Sequence, residues 1–171
     1  MKEVILAEVQ LPTLKGILGM TCCPGKPDID GKLNSNVETD LSQMKDWGAD
    51  AVLSLISQEE MSLYQLPDLG KQISIYGMQW FHHPFEDGGI PDEQFIKKWQ
   101  TQRERLQAIM QNGGKVIVHC RGGKGRTGLI CAQLMLESGC DFEQTIALIR
   151  EKRPGALAKQ AHLDYLKTIP I

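Results

Sequence analysis

Short apolar runs alternate along this chain with stretches whose apolar residues recur at helical spacing. A short continuous apolar run is typical of a buried strand, and a three- or four-residue recurrence is typical of an amphipathic helix. The runs predict strands over residues 2–9, 51–56, 78–84 and 116–118. The helical patterns predict helices over residues 37–47, 67–76, 127–136, 141–152 and 160–168. The stretch 18–36, rich in glycine and proline, is predicted to be a long loop.

The clearest helical pattern follows Asp92, a residue type that caps helix N-termini well. One apolar stripe at helical spacing comes after it, made of Phe95, Ile96, Trp99, Leu106, Ile109 and Met110. Gly113 and Gly114 then end the pattern. We therefore expect a long helix that is capped by Asp92 and buries this stripe.

The alternation of strands and helices predicts an α/β fold. We expect a single domain over residues 1–171, with a central, mainly parallel sheet flanked by helices. Residues 116–118 are apolar throughout, as expected of the central strand. Such sheets bind ligands at the carboxyl ends of their strands. The residues after Val118 are therefore the first candidates for a functional site.

Composition and charge exclude several classes of function. The chain has 171 residues, 42% hydrophobic and 23% charged, so it is not a highly charged disordered protein. Its 19 Lys and Arg against 21 Asp and Glu give a net charge of −2. A general nucleic-acid or membrane-surface binder would carry a basic excess, so neither partner is expected. Glutamates interrupt the first apolar run, and no run is long enough to span a bilayer, so we expect neither a signal peptide nor stable membrane association.

Five cysteines, an odd number without a Cys-x-x-Cys pair, argue against a disulfide framework and a zinc knuckle. They are Cys22, Cys23, Cys120, Cys131 and Cys140. The histidines His82, His83 and His119 also lack the spacing of a zinc site, so we expect no metal and no cofactor. Reduced thiols favour a cytoplasmic location.

The segment after Val118 reads His119-Cys120-Arg121-Gly122-Gly123-Lys124-Gly125-Arg126-Thr127-Gly128. Its glycines allow backbone N–H groups to turn inward as an anion-binding nest, and the next helix points its positive N-terminus at the same centre. These donors stabilise a thiolate at Cys120 and also form a cradle for a phosphate. Arg126 can hold two phosphate oxygens through its planar guanidinium. No Gly-Lys here is followed by Ser or Thr, so a Walker-type nucleotide loop is excluded.

This His-Cys-x5-Arg-Thr-Gly motif resembles the signature of the cysteine-based protein phosphatases of the dual-specificity type. The resemblance implies that Cys120 attacks phosphorus, that Arg126 binds phosphoryl oxygens, and that Thr127 steadies the departing thiolate. It implies a phosphate-binding loop formed by Arg121, Gly122, Gly123, Lys124, Gly125 and Arg126. His119 is expected to orient this loop by hydrogen bonding rather than to touch the substrate.

The leaving oxygen needs a proton, so a general acid must come from another loop. Residues 80–92 resemble the kinase-associated phosphatase (cyclin-dependent kinase inhibitor 3) family, in which a His-rich strand leads to an Asp-Gly-Gly-x-Pro-Asp loop. Residues 85–87 also resemble the phosphatase and tensin homologue family. Both resemblances imply that Asp87 is the acid. Asp92 remains the expected helix cap, and Glu86 an exposed neighbour.

The predicted function is hydrolysis of phosphomonoesters on phosphotyrosine and phosphoserine or phosphothreonine proteins through a phosphocysteine intermediate. The alternative is an inositol phosphate or phosphoinositide phosphatase using the same site, because Arg121 and Lys124 lie where phosphoinositide enzymes also carry basic residues. A phosphate-binding pseudoenzyme, a sulfurtransferase and an arsenate reductase explain the Cys, Arg and Asp set less well. One departure concerns the last helix. The family often has glutamine at the position of His162, whereas this chain has Gln160 nearby.

Overall fold

A computed structural model describes residues 4–170 of the chain. Its five strands are β1 (Ile5–Gln10), β2 (Ile17–Thr21), β3 (Ala49–Ser54), β4 (Gln79–His82) and β5 (Lys115–His119). They form one sheet in the order β1-β2-β5-β3-β4, in which β1 is antiparallel to β2 and every other pair is parallel. The predicted α/β fold with a mainly parallel sheet is therefore confirmed.

Seven helices surround this sheet within the described residues. They are α1 (Val37–Trp47), α2 (Gln58–Leu63), α3 (Leu69–Ile75), α4 (Glu93–Gln111), α5 (Gly125–Glu137), α6 (Phe142–Lys152) and α7 (Gln160–Lys167). Asp92 accepts a hydrogen bond from Phe95 N at 2.8 Å and so caps α4, as its position predicts. Helix α5 packs against β2, β5, α6 and α7, and every residue from Arg126 to Leu136 is buried. The central strand β5 thus leads directly into a core helix, which fixes the loop between them.

The predicted loop over residues 18–36 was wrong in its first part, because β2 occupies residues 17–21. The loop prediction includes Gly19. In the structure, Gly19 lies inside β2, beneath the ring of Trp47. A Cβ at Gly19 would come within 2.9 Å of that ring. Glycine is needed here for close packing rather than for a turn.

Three further differences from the expectations concern α2, Ile96 and the end of β3. Helix α2 was not predicted, although Ser57 and Glu60 form a reciprocal capping box at its start. Ile96 was placed on the buried stripe of α4, but it is 55% exposed. The buried stripe of α4 is therefore narrower than its apolar residues suggest. The strand predicted over residues 51–56 ends earlier, at Ser54. The expected strand start at residues 2 and 3 lies outside the described residues.

Candidate active site

The loop between β5 and α5 has the shape of an anion cradle. Cys120 follows the last residue of β5 and is 4% exposed, and α5 begins at Gly125. Gly123 has a φ of 71°, and a Cβ there would come within 2.4 Å of the carbonyl oxygen of Thr21. Only glycine fits that position, because both the backbone angle and the space exclude a side chain.

The carbonyl groups of this loop are tied to groups outside it. Cys23 N donates to Arg121 O at 2.9 Å, while Arg153 donates to Gly122 O and to Gly123 O at 3.2 Å each. In a trans peptide the carbonyl and the following N–H point in opposite directions. The N–H groups that follow these three carbonyls therefore point away from those partners. They remain the candidate donors of the anion-binding nest that the sequence predicts.

Thr127 contacts the candidate nucleophile directly. Its Oγ1 lies 3.1 Å from Cys120 Sγ, and the side chains of both residues are buried. A hydroxyl that donates to sulfur stabilises the thiolate over the neutral thiol, because the hydrogen bond is stronger to the charged form. This contact is consistent with the role that the resemblance implies for Thr127.

Arg126 is held by a carboxylate that sequence reasoning missed. Its Nη1 and Nη2 each donate to one oxygen of Glu60 at 2.8 Å, and only 1% of the Arg126 side chain is exposed. Nη1 also lies 3.4 Å from the carbonyl oxygens of Leu55 and Phe85. Arg126 Nε has no hydrogen-bond partner although it is buried. The guanidinium is thus anchored at one edge and keeps a donor for an incoming anion.

The pairing changes the titration of both groups. Partial burial acts to raise the pKa of Glu60, but hydrogen bonds from Arg126 and from the Ser57 backbone outweigh it and lower that pKa overall. Burial acts to lower the pKa of Arg126, but the hydrogen bond and the charge of Glu60 raise it. Both side chains are therefore charged at neutral pH.

His119 orients the loop through a chain of hydrogen bonds. Complete burial lowers its pKa to about 4, so the ring is neutral at pH 7. Its Nδ1 lies 2.9 Å from the carbonyl oxygen of Cys120, which can only accept, so Nδ1 carries the proton. Nε2 then accepts from Ser54 Oγ, which itself accepts from Trp80 Nε1 at 2.9 Å. These hydrogen bonds tie the backbone of Cys120 to β3 and β4.

Asp87 approaches the same cavity from a different loop. It lies after β4 in a turn closed by Gly89 N and Glu86 O at 2.9 Å, and its side chain is 72% exposed. Asp87 Oδ1 is 3.6 Å from Arg126 Nε. The cavity has a volume of about 240 Å³. It is lined by Asp87, Cys120, Arg121, Gly122, Lys124, Gly125, Arg126 and Arg153.

A second cleft lies on the other side of Asp87 and has the opposite charge. Its volume is about 380 Å³. It is lined by Ser57, Glu60, Pro84, Phe85, Glu86, Asp87, Asp92 and Gln94. Asp87 therefore stands at the border between a basic cavity and an acidic cleft.

The remaining histidines and cysteines lie elsewhere in the fold. His82 bonds the carbonyl oxygen of Ile56 at 2.7 Å, and His83 packs against the rings of Phe95 and Trp99. All five cysteines are free, and burial raises the pKa of Cys22, of Cys23 and of Cys131. Within residues 4–170, no three His, Cys, Asp or Glu side chains are grouped as metal ligands would be. In the same part of the chain, no helix has the length and apolar character of a membrane span.

The last helix, α7, has His162 at the position where the resembled family often has glutamine. Gln160 is exposed, and its side chain bonds Asp164 on its own helix at 2.9 Å. His162 is 2% exposed, and its Nε2 lies 3.0 Å from the carbonyl oxygen of Gly89 in the Asp87 turn. Sequence reasoning gave no role to Glu60, Arg153 or His162. Each acts through a partner more than 25 positions away along the chain, where no local pattern points to it.

Comparisons with known proteins agree with this geometry. Residues 5–146 match the family model described as Cyclin-dependent kinase inhibitor 3 (CDKN3). The mouse cyclin-dependent kinase inhibitor 3 is 32% identical over 151 residues, which cover 87% of this chain and 69% of that protein. Mouse protein tyrosine phosphatase type IVA 3 is 31% identical over 136 residues, covering 78% of this chain and 72% of that protein.

A solved structure gives the same result at the level of the fold. Kinase-associated phosphatase, crystallised with serine in place of its catalytic cysteine, matches with a TM-score of 0.83 and 27% identity. The match covers 97% of this chain and 93% of that one. The similarity therefore extends over nearly the whole chain and is not confined to the phosphate-binding motif.

The buried neutral state of His119 predicts a loss of stability in mild acid. Its folded pKa of about 4 lies below the ordinary value of 6.5, so unfolding takes up a proton between those values. The stabilisation is complete above this window and is lost as the pH falls through it. At pH 5 the wild type should have lost about 2 kcal/mol of unfolding free energy from this group.

Urea unfolding of the wild type and of His119→Gln at pH 7 and pH 5 measures this effect. The wild type should lose about 2 kcal/mol more than the variant between the two pH values. His83, whose pKa burial also lowers to about 4, is present in both proteins and cancels in the comparison. Equal losses in the two proteins would show that His119 is not buried as a neutral ring.

Proposed function

Because this chain belongs to the cyclin-dependent kinase inhibitor 3 family and is a cysteine-based protein phosphatase, we propose that Cys120 is its nucleophile and forms a phosphocysteine intermediate. Arg126 and the loop amides hold the phosphoryl oxygens, Asp87 is the general acid and base, and Thr127 steadies the thiolate. The observation that carries this assignment is the convergence of Cys120, Arg126 and Asp87, from two loops and one helix, on one cavity, with Thr127 bonded to the sulfur of Cys120.

In the first step, the Cys120 thiolate attacks phosphorus and forms an S–P bond while the ester O–P bond breaks. Asp87, in its protonated form, gives its proton to the departing oxygen, so the product leaves as an alcohol or phenol. Arg126 Nε and the inward N–H groups stabilise the charge on the three equatorial oxygens. Electrostatic stabilisation of the transition state by preorganised donors of this kind is usually the largest single contribution to lowering the activation barrier.

In the second step, water attacks phosphorus on the intermediate and the S–P bond breaks. The Asp87 carboxylate takes the proton from that water, and inorganic phosphate is released. Cys120 leaves as a thiolate, which Thr127 Oγ1 stabilises from its position 3.1 Å from the sulfur. Arginine and backbone amides supply the positive charge, and His119 holds the loop in place without touching the substrate.

Phosphoproteins are the substrates that the surroundings of the cavity support best. The chain's relatives include protein tyrosine phosphatases, and the acidic cleft beside Asp87 accommodates a peptide better than it does further phosphate groups. We further propose that residues 1–171 form one domain. We also propose a cytoplasmic location, because five free cysteines are typical of a reducing compartment.

A second candidate, an inositol phosphate or phosphoinositide phosphatase, has one observation in its favour. Arg121 and Lys124 line the cavity together with Arg126 and Arg153, so several cations surround the phosphate position. Additional phosphates on a substrate could pair with the outer ones. A general attraction of any anion to this cavity explains the same basic residues. The decisive measurement is therefore how much activity on each substrate class depends on them.

The nucleophile is tested by Cys120→Ser. Serine forms no alkoxide at neutral pH, so turnover of an aryl phosphate should be lost, whereas vanadate or phosphate binding should persist because Arg126 and the amide nest remain. Cys140→Ser is the matched control, since it replaces a buried cysteine that bonds Thr13 on the far side of the fold. Near-normal turnover in Cys120→Ser would exclude the covalent mechanism.

The general acid is tested by leaving-group chemistry. Asp87→Asn should slow a phosphoserine peptide by about 10²–10⁴-fold, because its alkoxide needs a proton to leave. It should slow p-nitrophenyl phosphate much less, because that phenolate leaves unprotonated. Asp92→Asn is the matched control and should show no such dependence, since asparagine caps a helix nearly as well as aspartate. The opposite pattern in the two variants would place the acid at Asp92.

The substrate class is tested by the double variant Arg121→Ala/Lys124→Ala. We expect similar losses of kcat/KM on a singly phosphorylated peptide and on an inositol polyphosphate, because the lost attraction is general. Lys97→Ala/Lys98→Ala removes two exposed charges on α4 and controls for net charge. A much larger loss on the inositol polyphosphate would favour the second candidate.

A further inference from the structure

We propose that residues 153–162, named here the bridging segment, position the acid turn relative to the phosphate-binding loop, with His162 as the main positioning residue. This inference rests on the proposed function, since it assigns the segment's role through Asp87. The acid turn is residues 86–89. The two loops come from different parts of the chain, and the bridging segment bonds both of them.

One end of the bridging segment is attached to the phosphate-binding loop. The Arg153 side chain donates to Gly122 O and Gly123 O at 3.2 Å each. Two positions later the chain passes beneath Lys124, where a Cβ at Gly155 would lie 2.2 Å from Lys124 Cε. Gly155 has a φ of 89°, a left-handed conformation that disfavours any residue with a side chain. The segment is therefore closely packed against the loop that carries Cys120.

The other end is attached to the acid turn. His162 Nε2 lies 3.0 Å from Gly89 O, and Lys159 Nζ donates to Gly88 O at 3.2 Å. A carbonyl oxygen only accepts, so His162 Nε2 carries a proton and donates. Two side chains from the start of α7 thus bond the carbonyls of the two residues directly after Asp87.

Asp87 needs such support because little else holds it. Its side chain is 72% exposed and lies 3.6 Å from Arg126 Nε, beyond ordinary hydrogen-bond distance. Gly88 has a φ of 78°, and Gly89 follows it, so the turn has unusual conformational freedom. The bond from Gly89 N to Glu86 O closes the turn but does not fix it to the rest of the fold. The contacts with α7 do.

The two contacts differ in strength. Lys159 is exposed, so water competes with its bond to Gly88 O. His162 is 2% exposed, and removing it would leave Gly89 O without that buried donor. The loss of His162 should therefore free the acid turn more than the loss of Lys159. A freed turn places the Asp87 proton within reach of the leaving oxygen for a smaller fraction of the time.

The experiment compares His162→Leu, His162→Gln and Tyr165→Phe on two substrates. His162→Leu should lower kcat/KM on a phosphoserine peptide by about tenfold, a part of the full general-acid effect, and leave kcat/KM on p-nitrophenyl phosphate nearly unchanged, because kcat/KM reports the step in which the leaving group departs. Vanadate binding should also be unchanged, because the phosphate-binding loop keeps its Arg153 bonds. His162→Gln should restore most of the peptide activity, since its amide N–H can donate to Gly89 O.

Tyr165→Phe is the matched control for a purely structural effect on α7. It removes the bond from Tyr165 Oη to Gln133 Oε1, which is 2.9 Å long, from the same helix without touching the acid turn. Its thermal stability should fall while the ratio of kcat/KM between the two substrates stays the same. Equal losses on the two substrates in His162→Leu would make His162 a structural residue and overturn the inference.

Asp87→Asn separates this inference from the proposed function. If Asp87→Asn shows no leaving-group dependence, the acid assignment itself fails. If Asp87→Asn does show that dependence, Asp87→Asn/His162→Leu should be no slower on the peptide than Asp87→Asn alone, because His162 acts through Asp87. A further tenfold loss in the double variant would show that His162 acts by another route.

Discussion

The active site depends on one buried ion pair. Arg126 is nearly inaccessible to water, and a buried guanidinium is destabilising unless its charge and its N–H groups are matched. Glu60 on α2 supplies both through two bonds of 2.8 Å, and the carbonyls of Leu55 and Phe85 approach the same guanidinium. One side chain of α5 thereby joins α2, the end of β3 and the approach to the acid turn. The Nε that remains is buried without a hydrogen-bond partner and is the donor that the proposed function assigns to the phosphate.

Charge is divided sharply around Asp87. The phosphate cavity is lined by four Arg and Lys side chains, whereas the adjoining cleft is lined by Glu60, Glu86, Asp87 and Asp92. Under the proposed function, a phosphate dianion is attracted to the first and repelled by the second, which would direct it to Cys120 rather than along the surface. Arg126 pairs with Glu60 through its Nη atoms, while its Nε lies 3.6 Å from Asp87. The carboxylate that stabilises Arg126 thus belongs to the acidic cleft, and the guanidinium it holds belongs to the basic cavity.

The sequence predicted what depends on neighbouring residues and missed what depends on distant ones. Cys120 and Arg126 stand only six positions apart, so the strand, the glycines and the helix start were enough to group them, whereas the role of Thr127 came from the resemblance. Asp87 came only from resemblance, because nothing local relates it to Cys120. Glu60 and His162 acquire their roles through tertiary contacts, which no periodicity encodes. The prediction also missed strand β2, for a related reason. The packing of Gly19 against the ring of Trp47 is a contact between distant positions, which a local pattern does not show.

The bridging segment shows that this arrangement has an energetic cost. Leu157 is 1% exposed and has a φ of 57°, a left-handed conformation that a leucine rarely adopts. Such a residue persists only where its surroundings fix it, and here Arg150 donates to Leu157 O at 2.8 Å. The turn at Leu157 lets the chain leave the phosphate-binding loop at Arg153 and reach the acid turn at Lys159 and His162. The strain at Leu157 is therefore part of what holds the start of α7 against the acid turn.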